Sequence, residues 1–146
     1  MWEIDGAGVR WLGPWIGGKK VNGQMKWVTG EPVGFTWWGP GQPDGGTVEN
    51  AIDYWCSNNG VYGWNDFPEN GSSTDGGFAN VRGYVVEYDP HPGYTYNPAN
   101  GHWYKAVSVP SGLSWTSAEK AAEAEGGHLA TITNQAENDF VSGLCT

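Results

Sequence analysis

Between Trp37 and Asp66 the chain reads Trp-Trp-Gly-Pro-Gly-Gln-Pro-Asp-Gly-Gly-Thr-Val-Glu-Asn, then Ala-Ile-Asp-Tyr-Trp, and closes on Trp-Asn-Asp. Gly and Pro at this density set turns and deny the backbone regular pairing. A long loop inside a compact domain is uncommon unless it is functional or disordered. Trp37, Trp38, Tyr54, Trp55 and Trp64 bracket this one and seek burial, which argues for a folded loop. The side chains it carries are rich in oxygen: Gln42, Asp44, Glu49 and Asn50, then Asn65 and Asp66. Converging carboxylates and amides suit a hard cation. Ca²⁺ takes about six to eight oxygens in a flexible shell, whereas Mg²⁺ demands stricter geometry and keeps several waters. Soft metals prefer His and Cys, and this stretch has no His and only Cys56. The competing reading is a solvated acidic loop beside an aromatic core.

Ten Trp and 24 Gly among 146 residues point to many turns and an aromatic core within one domain. A net charge of −9 argues against nucleic-acid backbones and anionic membrane surfaces as partners. No segment approaches the ~18 apolar residues of a membrane helix. Met1 to Asp5 is acidic without a hydrophobic run, so no signal peptide is expected there. The two cysteines, Cys56 and Cys145, permit at most one internal disulfide.

Along the chain, residues 1–14 read as loop and Trp15 to Gly18 as the start of a strand. A turn over Lys19 to Gly23 leads to a returning strand, Met25 to Val28. After the long loop, strands are expected at Ala51 to Trp55, Val61 to Asp66, Arg82 to Tyr88 and His102 to Val107. Residues 69–80 read as an exposed loop, and 89–100, with three prolines, as a connection. Then the period changes. Thr116-Ser117-Ala118-Glu119 is a capping-box pattern before an amphipathic helix that Gly126-Gly127 ends. Asn134-Gln135-Ala136-Glu137 opens a second, with Phe140, Val141 and Leu144 on one face.

Four of these pieces carry a resemblance. Gln42-Pro43-Asp44 with Trp64-Asn65-Asp66 resembles the paired calcium and sugar motif of the C-type lectin domain. Trp15-Ile16-Gly17-Gly18 resembles that family's Trp-Ile-Gly strand start. Gly127-His128-Leu129-Ala130-Thr131-Ile132 and Glu137-Asn138-Asp139-Phe140 resemble its passage between two helices. The resemblance implies an α+β fold of two helices on short antiparallel sheets with a long calcium-binding loop. It implies Ca²⁺ held by Gln42, Asp44, Glu49, Asn65 and Asp66, with a cis bond before Pro43. The sugar contacts it implies are Gln42, Asp44, Glu49 and Asn65, aided by Trp38 and Tyr62. The chain departs from the family in cysteine. The usual places fall near Ala51, Val86 and the Ala121-Ala122 pair, so packing must do the work of disulfides.

The order of blocks also departs. A domain resembling this family begins near Tyr96 to Tyr104, runs through both helices, and only then reaches Trp15-Ile16-Gly17-Gly18. Here residues 1–88 match the family's C-terminal half and 101–146 its helical N-terminal half, joined through 89–100. One expectation is a circularly permuted single domain, with Arg82 to Tyr88 pairing antiparallel with His102 to Val107 and Met1 near Thr146. The other is a piece cut across two tandem domains, whose halves would swap between chains.

Trp37, Trp38, Tyr54, Trp55 and Tyr62 are candidates to stack on a sugar; Trp15, Trp27, Trp64, Trp103 and Trp115 are assigned to the core. Asn50 and Asp53 are candidates for an outer shell or a second ion. His91, His102 and His128 show no metal-ligand spacing. No nucleophile elbow, phosphate loop or dinucleotide fingerprint is present, so no enzyme is expected. Gln42 before Asp44 puts an amide first and a carboxylate second, which by resemblance implies terminal galactose or N-acetylgalactosamine. Gly45, Gly46 and Thr47 offer no ring for the sugar's apolar face. An extracellular or cell-surface place follows from the family. The alternative is a lectin-like protein-interaction or adhesion module that binds no sugar.

Overall fold

The computed structural model describes residues 12–56, 62–71, 81–89, 91 and 93–145. The architecture is α+β. A mixed eight-stranded sheet is joined by two helices among the described residues, compatible with a C-type lectin-like fold. The strands are β1 (Leu12–Val21), β2 (Gln24–Trp27), β3 (Ala51–Cys56), β4 (Tyr62–Phe67), β5 (Gly83–Tyr88), β6 (Thr95–Asn97), β7 (His102–Ser108) and β8 (His128–Leu129); the helices are α1 (Trp115–Ala124) and α2 (Gln135–Leu144). The main path runs β4-β3-β1-β5-β7-β6, with β2 beside β1 and β8 beside β5.

The pairing expected between the two blocks is present. β5 and β7 run antiparallel from Gly83 against Ser108 to Tyr88 against Trp103. The intervening connection is not all loop: Thr95 to Asn97 form β6, which covers the outer edge of β7. The strand expected from Trp15 starts earlier, at Leu12, and continues through Lys19 to Val21, so the turn shrinks to Asn22 and Gly23. The positive φ of both turn residues suits the right-handed twist of a tight hairpin.

Two indoles tie the blocks together. Trp115 Nε1–H donates to the Ile16 carbonyl at 2.9 Å, and Trp15 Nε1–H donates to the Leu113 carbonyl at 2.9 Å. Seating Trp115 at the first helical position moves the N-cap from the expected Thr116 to Ser114, whose Oγ accepts the Ser117 N–H at 3.1 Å. At α2 the expected cap holds: Asn134 Oδ1 accepts the Glu137 N–H at 2.9 Å. The return half of that box does not form as written, because Glu137 reaches Thr133 instead, accepting its N–H at 2.8 Å.

The core lies on both faces of the sheet. One cluster centres on Trp15, Tyr84, Tyr88 and Trp115, the other on Ile16, Tyr54, Trp64 and Tyr104. Trp103, assigned to the core, packs half-buried at the border of the first cluster and against the exposed Tyr96 of the edge strand, ring centroids 4.9 Å apart. The expected proximity of Met1 and Thr146 lies outside the described residues. Cys145 is a buried free thiol; the side chain of Cys56 lies outside the described residues.

Candidate functional site

β4 is the floor of the site, and its register sorts the Asn65-Asp66 pair. Asn65 lies opposite Asp53 and Asp66 opposite Ile52, so the two side chains leave opposite faces of the strand. Asp66 is wholly buried and turns to the long loop. Its Oδ1 accepts the Asp44 N–H at 2.9 Å and its Oδ2 the Gly45 N–H at 3.2 Å. The loop approaches β4 from the other end as well. Trp64 N–H donates to the Trp37 carbonyl at 2.7 Å, and Gly39 N–H donates to the Trp64 carbonyl at 2.8 Å.

These anchors bring carboxylates together. Ligand oxygens of Asp44, Glu49 and Asp66 all lie within 4.8 Å of one another. At that spacing three anions repel strongly unless a cation or protons intervene. Gln42 Oε1 is buried and accepts no hydrogen bond, a cost that a ligand to that oxygen would remove. The Gln42–Pro43 bond is cis. Three converging carboxylates are an all-oxygen donor set, which fits a hard divalent ion of the Ca²⁺ type, and the buried, unpartnered Gln42 oxygen of the same loop is a further candidate donor. Residues Gln42, Asp44, Glu49 and Asp66 would hold it.

Asn65 stands apart from that group. Its Nδ2 donates to Asp53 Oδ1 at 3.1 Å. Asp53 is wholly buried, and its Oδ2 has no hydrogen-bond partner. Burial pushes its carboxyl well above the usual carboxylate range, against the opposing pull of the Asn65 amide. Asn50 is engaged elsewhere: its Oδ1 accepts the Glu69 N–H at 3.1 Å.

Of the candidate sugar platforms, Tyr54 is excluded. It is wholly buried, and its hydroxyl donates to Asn138 Oδ1 at 2.9 Å. Trp38 is half-buried, edge-on to Trp64 at 5.9 Å between centroids, and Trp37 is edge-on to Tyr54 at 6.3 Å. Both keep partial exposure beside the loop. The Tyr62 side chain lies outside the described residues.

Two features of the site carry no sequence signature. Lys20 of β1 reaches under the loop and donates from Nζ to the Gly46 carbonyl and, at 3.2 Å, to the Glu49 carbonyl. Nothing in a Lys-Lys pair on a strand announces a clasp on backbone carbonyls. Val48 is 73% exposed on the same loop, an aliphatic group presented to solvent between two of the converging carboxylates. No described helix is long and apolar enough to cross a membrane.

The chain is similar to C-type mannose receptor 2 of Homo sapiens, Mus musculus and Rattus norvegicus, 29% identical over 139 residues in each case. The match covers 89% of this chain and 9% of the receptor, so the chain spans less than a tenth of the length of those relatives. No family model and no solved structure matches it.

Proposed function

We propose that the chain is a Ca²⁺-dependent carbohydrate-binding module, at an extracellular or cell surface, that binds without turnover. The observation that carries this reading is the convergence of Asp44, Glu49 and Asp66 within 4.8 Å around a loop whose Gln42 oxygen is buried and unpartnered. Asn65, whose side chain leaves the opposite face of β4 and donates to Asp53, stands outside this ligand set. Two neighbouring sugar hydroxyls displace waters from the ion and hydrogen-bond the same side chains. The order of Gln42 and Asp44, amide first, favours galactose or N-acetylgalactosamine. Gly45 to Thr47 present no ring for the sugar's apolar face, and half-buried Trp38 with exposed Val48 replaces it only in part, so monovalent binding is weak and avidity comes from several copies.

A second reading has its own support: the similar proteins are named mannose receptors. Isothermal titration with galactose and with mannose, each with Ca²⁺ and with chelator, separates the two. Galactose preference that shifts toward mannose in Gln42→Glu plus Asp44→Asn supports the motif-order reading. Mannose preference in the parent protein removes it. Absence of any sugar binding with Ca²⁺ present leaves a lectin-like protein-interaction module.

The same proposal reads the chain order as a permuted single domain. Its support is the β5–β7 pairing and the reciprocal Trp15 and Trp115 hydrogen bonds within one chain. A monomer by light scattering at high protein concentration fits that reading. A dimer that exchanges halves slowly points to two swapped half-domains.

A further inference from the structure

A cavity of about 450 Å³ lies beside β2, β5 and β8, with Trp27, Phe35, Glu31, Glu87, His102 and His128 in its wall. That volume is in the range of small-molecule sites. Asp44, Glu49 and Asp66 do not line it. The sheet register brings its polar side together. Glu87 of β5 lies opposite His128 of β8 on one side and opposite Tyr104 of β7 on the other. Cross-strand partners share a face, and so do residues two apart on a strand, so His102 falls on the face of Glu87 and His128.

Every hydroxyl and imidazole Nδ1 hydrogen in that wall is already spent inside the protein. The Thr29 hydroxyl donates to Glu31 Oε2, the Thr131 hydroxyl to Glu87 Oε2 at 2.9 Å, and the Thr133 hydroxyl to Glu137 Oε2 at 2.8 Å. His128 Nδ1 meets the Leu129 carbonyl at 2.9 Å. A carbonyl only accepts, so the proton sits on Nδ1. An ionised Glu87 likewise only accepts, and sets the same tautomer in neutral His102, whose Nδ1 meets Oε1. What the wall has left is acceptor capacity: two Nε2 lone pairs, and the lone pairs of Glu31 beyond the one that Thr29 takes. The charge is one-sided as well. Glu69 is paired with Lys19 and Glu125 with Lys105, but no Lys or Arg is among the described residues of this wall. The Thr29 hydroxyl, foremost among its neighbours, holds the exposed Glu31 carboxyl below the usual carboxylate range.

We propose that this cavity takes an alkylguanidinium group, with its N–H edges on Glu31 and the imidazole Nε2 atoms and its alkyl stem against Phe35 and Trp27. A guanidinium carries donors and no acceptor, so it matches a wall whose hydroxyls and Nδ1 hydrogens are spent. A neutral polyol brings acceptors that find none of those hydrogens free. The donors of a guanidinium fan out around a plane, so acceptors spread over a cavity wall suit it, whereas a metal ion needs them gathered at one point. The group is flat and more weakly hydrated than an ammonium, and it lies well against aromatic rings. The site is independent of the loop carboxylates and of any sugar reading.

The test titrates the full chain in saturating Ca²⁺ at about pH 8, above the ordinary imidazole range, with n-butylguanidinium and with its neutral isostere n-butylurea. Calorimetry reads affinity, and long-range proton–nitrogen NMR reads the imidazoles. The cation is expected to bind about 10-fold more tightly than the urea, the worth of a charge-assisted hydrogen bond, and to shift Nε2 of both His102 and His128. Glu31→Gln should abolish most of that preference, and Glu123→Gln, on the exposed side of α1, should keep it. A capped tripeptide with arginine between glycines separates two sources of the same chemistry. Tighter binding of the peptide points to an arginine on a partner protein, and tighter binding of n-butylguanidinium to a small free guanidine; either supports the site. Equal affinity for the cation and the urea in the parent chain overturns the proposal without recourse to any variant. So do unmoved His102 and His128 nitrogens, or a preference that survives Glu31→Gln.

Discussion

Asp66 accepts the backbone N–H of Asp44 at 2.9 Å, across 22 positions of sequence. That bond, with the Gly45 N–H on the other oxygen and Lys20 on the carbonyls of Gly46 and Glu49, ties the long loop to the sheet through protein contacts. The acidic loop is therefore held in place by the chain itself, and an ion adds charge neutralisation to a geometry already set.

Asp66→Ala should destabilise the protein with no ion present, because two loop N–H groups lose a charged acceptor. Two hydrogen bonds to a charged group, at about 1.5–3 kcal/mol each, sum to about 3–6 kcal/mol; relief of the repulsion among the three carboxylates offsets part of this, so a net loss of about 2–4 kcal/mol is expected in urea unfolding with chelator. Lys20→Met should cost less, since its Gly46 contact is at the exposed surface. Equal stability of Asp66→Ala and the parent would show that the anchor is not made in solution.

Glu137 illustrates a buried carboxylate used for structure. Its Oε1 accepts from Asn100 Nδ2 at 2.9 Å and the Tyr104 hydroxyl at 2.6 Å; its Oε2 accepts the Thr133 N–H and hydroxyl, both at 2.8 Å. Glu137→Gln puts an amide N–H₂ against donors on one side whichever way it is turned. A loss of about 2–4 kcal/mol is expected, from unpaired buried groups. Denaturation midpoints of Glu137→Gln and of the exposed control Glu123→Gln give the comparison. Similar midpoints would show that this network contributes little.

Gly63 sets how close the loop comes to β4. A Cβ there would stand 2.3 Å from the Gly39 Cα and 2.4 Å from the Gly39 nitrogen. Both are backbone atoms with no rotamer to yield. Gly63→Ala should therefore push the Trp37 to Gly39 segment off Trp64, at the ~1–3 kcal/mol typical of overpacking. Near-ultraviolet circular dichroism should lose the signal of the edge-on Trp38–Trp64 pair. An unchanged spectrum and melting temperature would place the loop elsewhere.

What could be read from residue order was local. Trp15-Ile16-Gly17-Gly18 announced a strand because apolar and small residues had to be buried on both sides: a Cβ on Gly17 would meet the Leu129 carbonyl oxygen at 2.6 Å, and one on Gly18 the Ile52 side chain at 2.3 Å. Asn134 with Glu137 marked a helix start because a short oxygen side chain and the backbone N–H it accepts lie within one turn. The Ser114 cap was hidden because Thr116 offers an equally good pattern; only the Trp115 bond to Ile16, 99 residues away, decides between them. β6 was hidden for a related reason. Prolines flank it, and it exists because the edge of β7 is available to pair. Asp44 and Glu49 were legible together, since turn residues bring neighbours in one loop close; Asp66, on β4 and 22 positions beyond Asp44, joins them through its bonds to the Asp44 and Gly45 N–H groups. The Lys20 clasp was not legible, being a product of strand register.

Cys145 ties the end of α2 to the core and gives a pH signature. Its side chain is 1% exposed, and Sγ–H donates to the Val141 carbonyl at 3.3 Å. Burial pushes the thiol up to about 12, against about 8.5 for an unfolded cysteine. The raised value means the folded state holds its proton where the unfolded state has released it. Stability from this group is complete below the unfolded value and falls as pH rises from about 8.5 toward 12, at a limiting slope of about 1.4 kcal/mol per pH unit. Tyr84, whose hydroxyl is also raised, chiefly by burial, adds a loss of the same sign. A subtraction is therefore needed. Unfolding free energies of the parent and of Cys145→Ala should run parallel near neutrality and converge or cross above pH ~9, the parent losing stability faster. The native thiol should also resist an aromatic disulfide reagent at neutral pH and react only as the chain unfolds. Rapid labelling of Cys145 in the native protein, or parallel stability curves throughout the alkaline range, would show that α2 frays and the thiol is open to water.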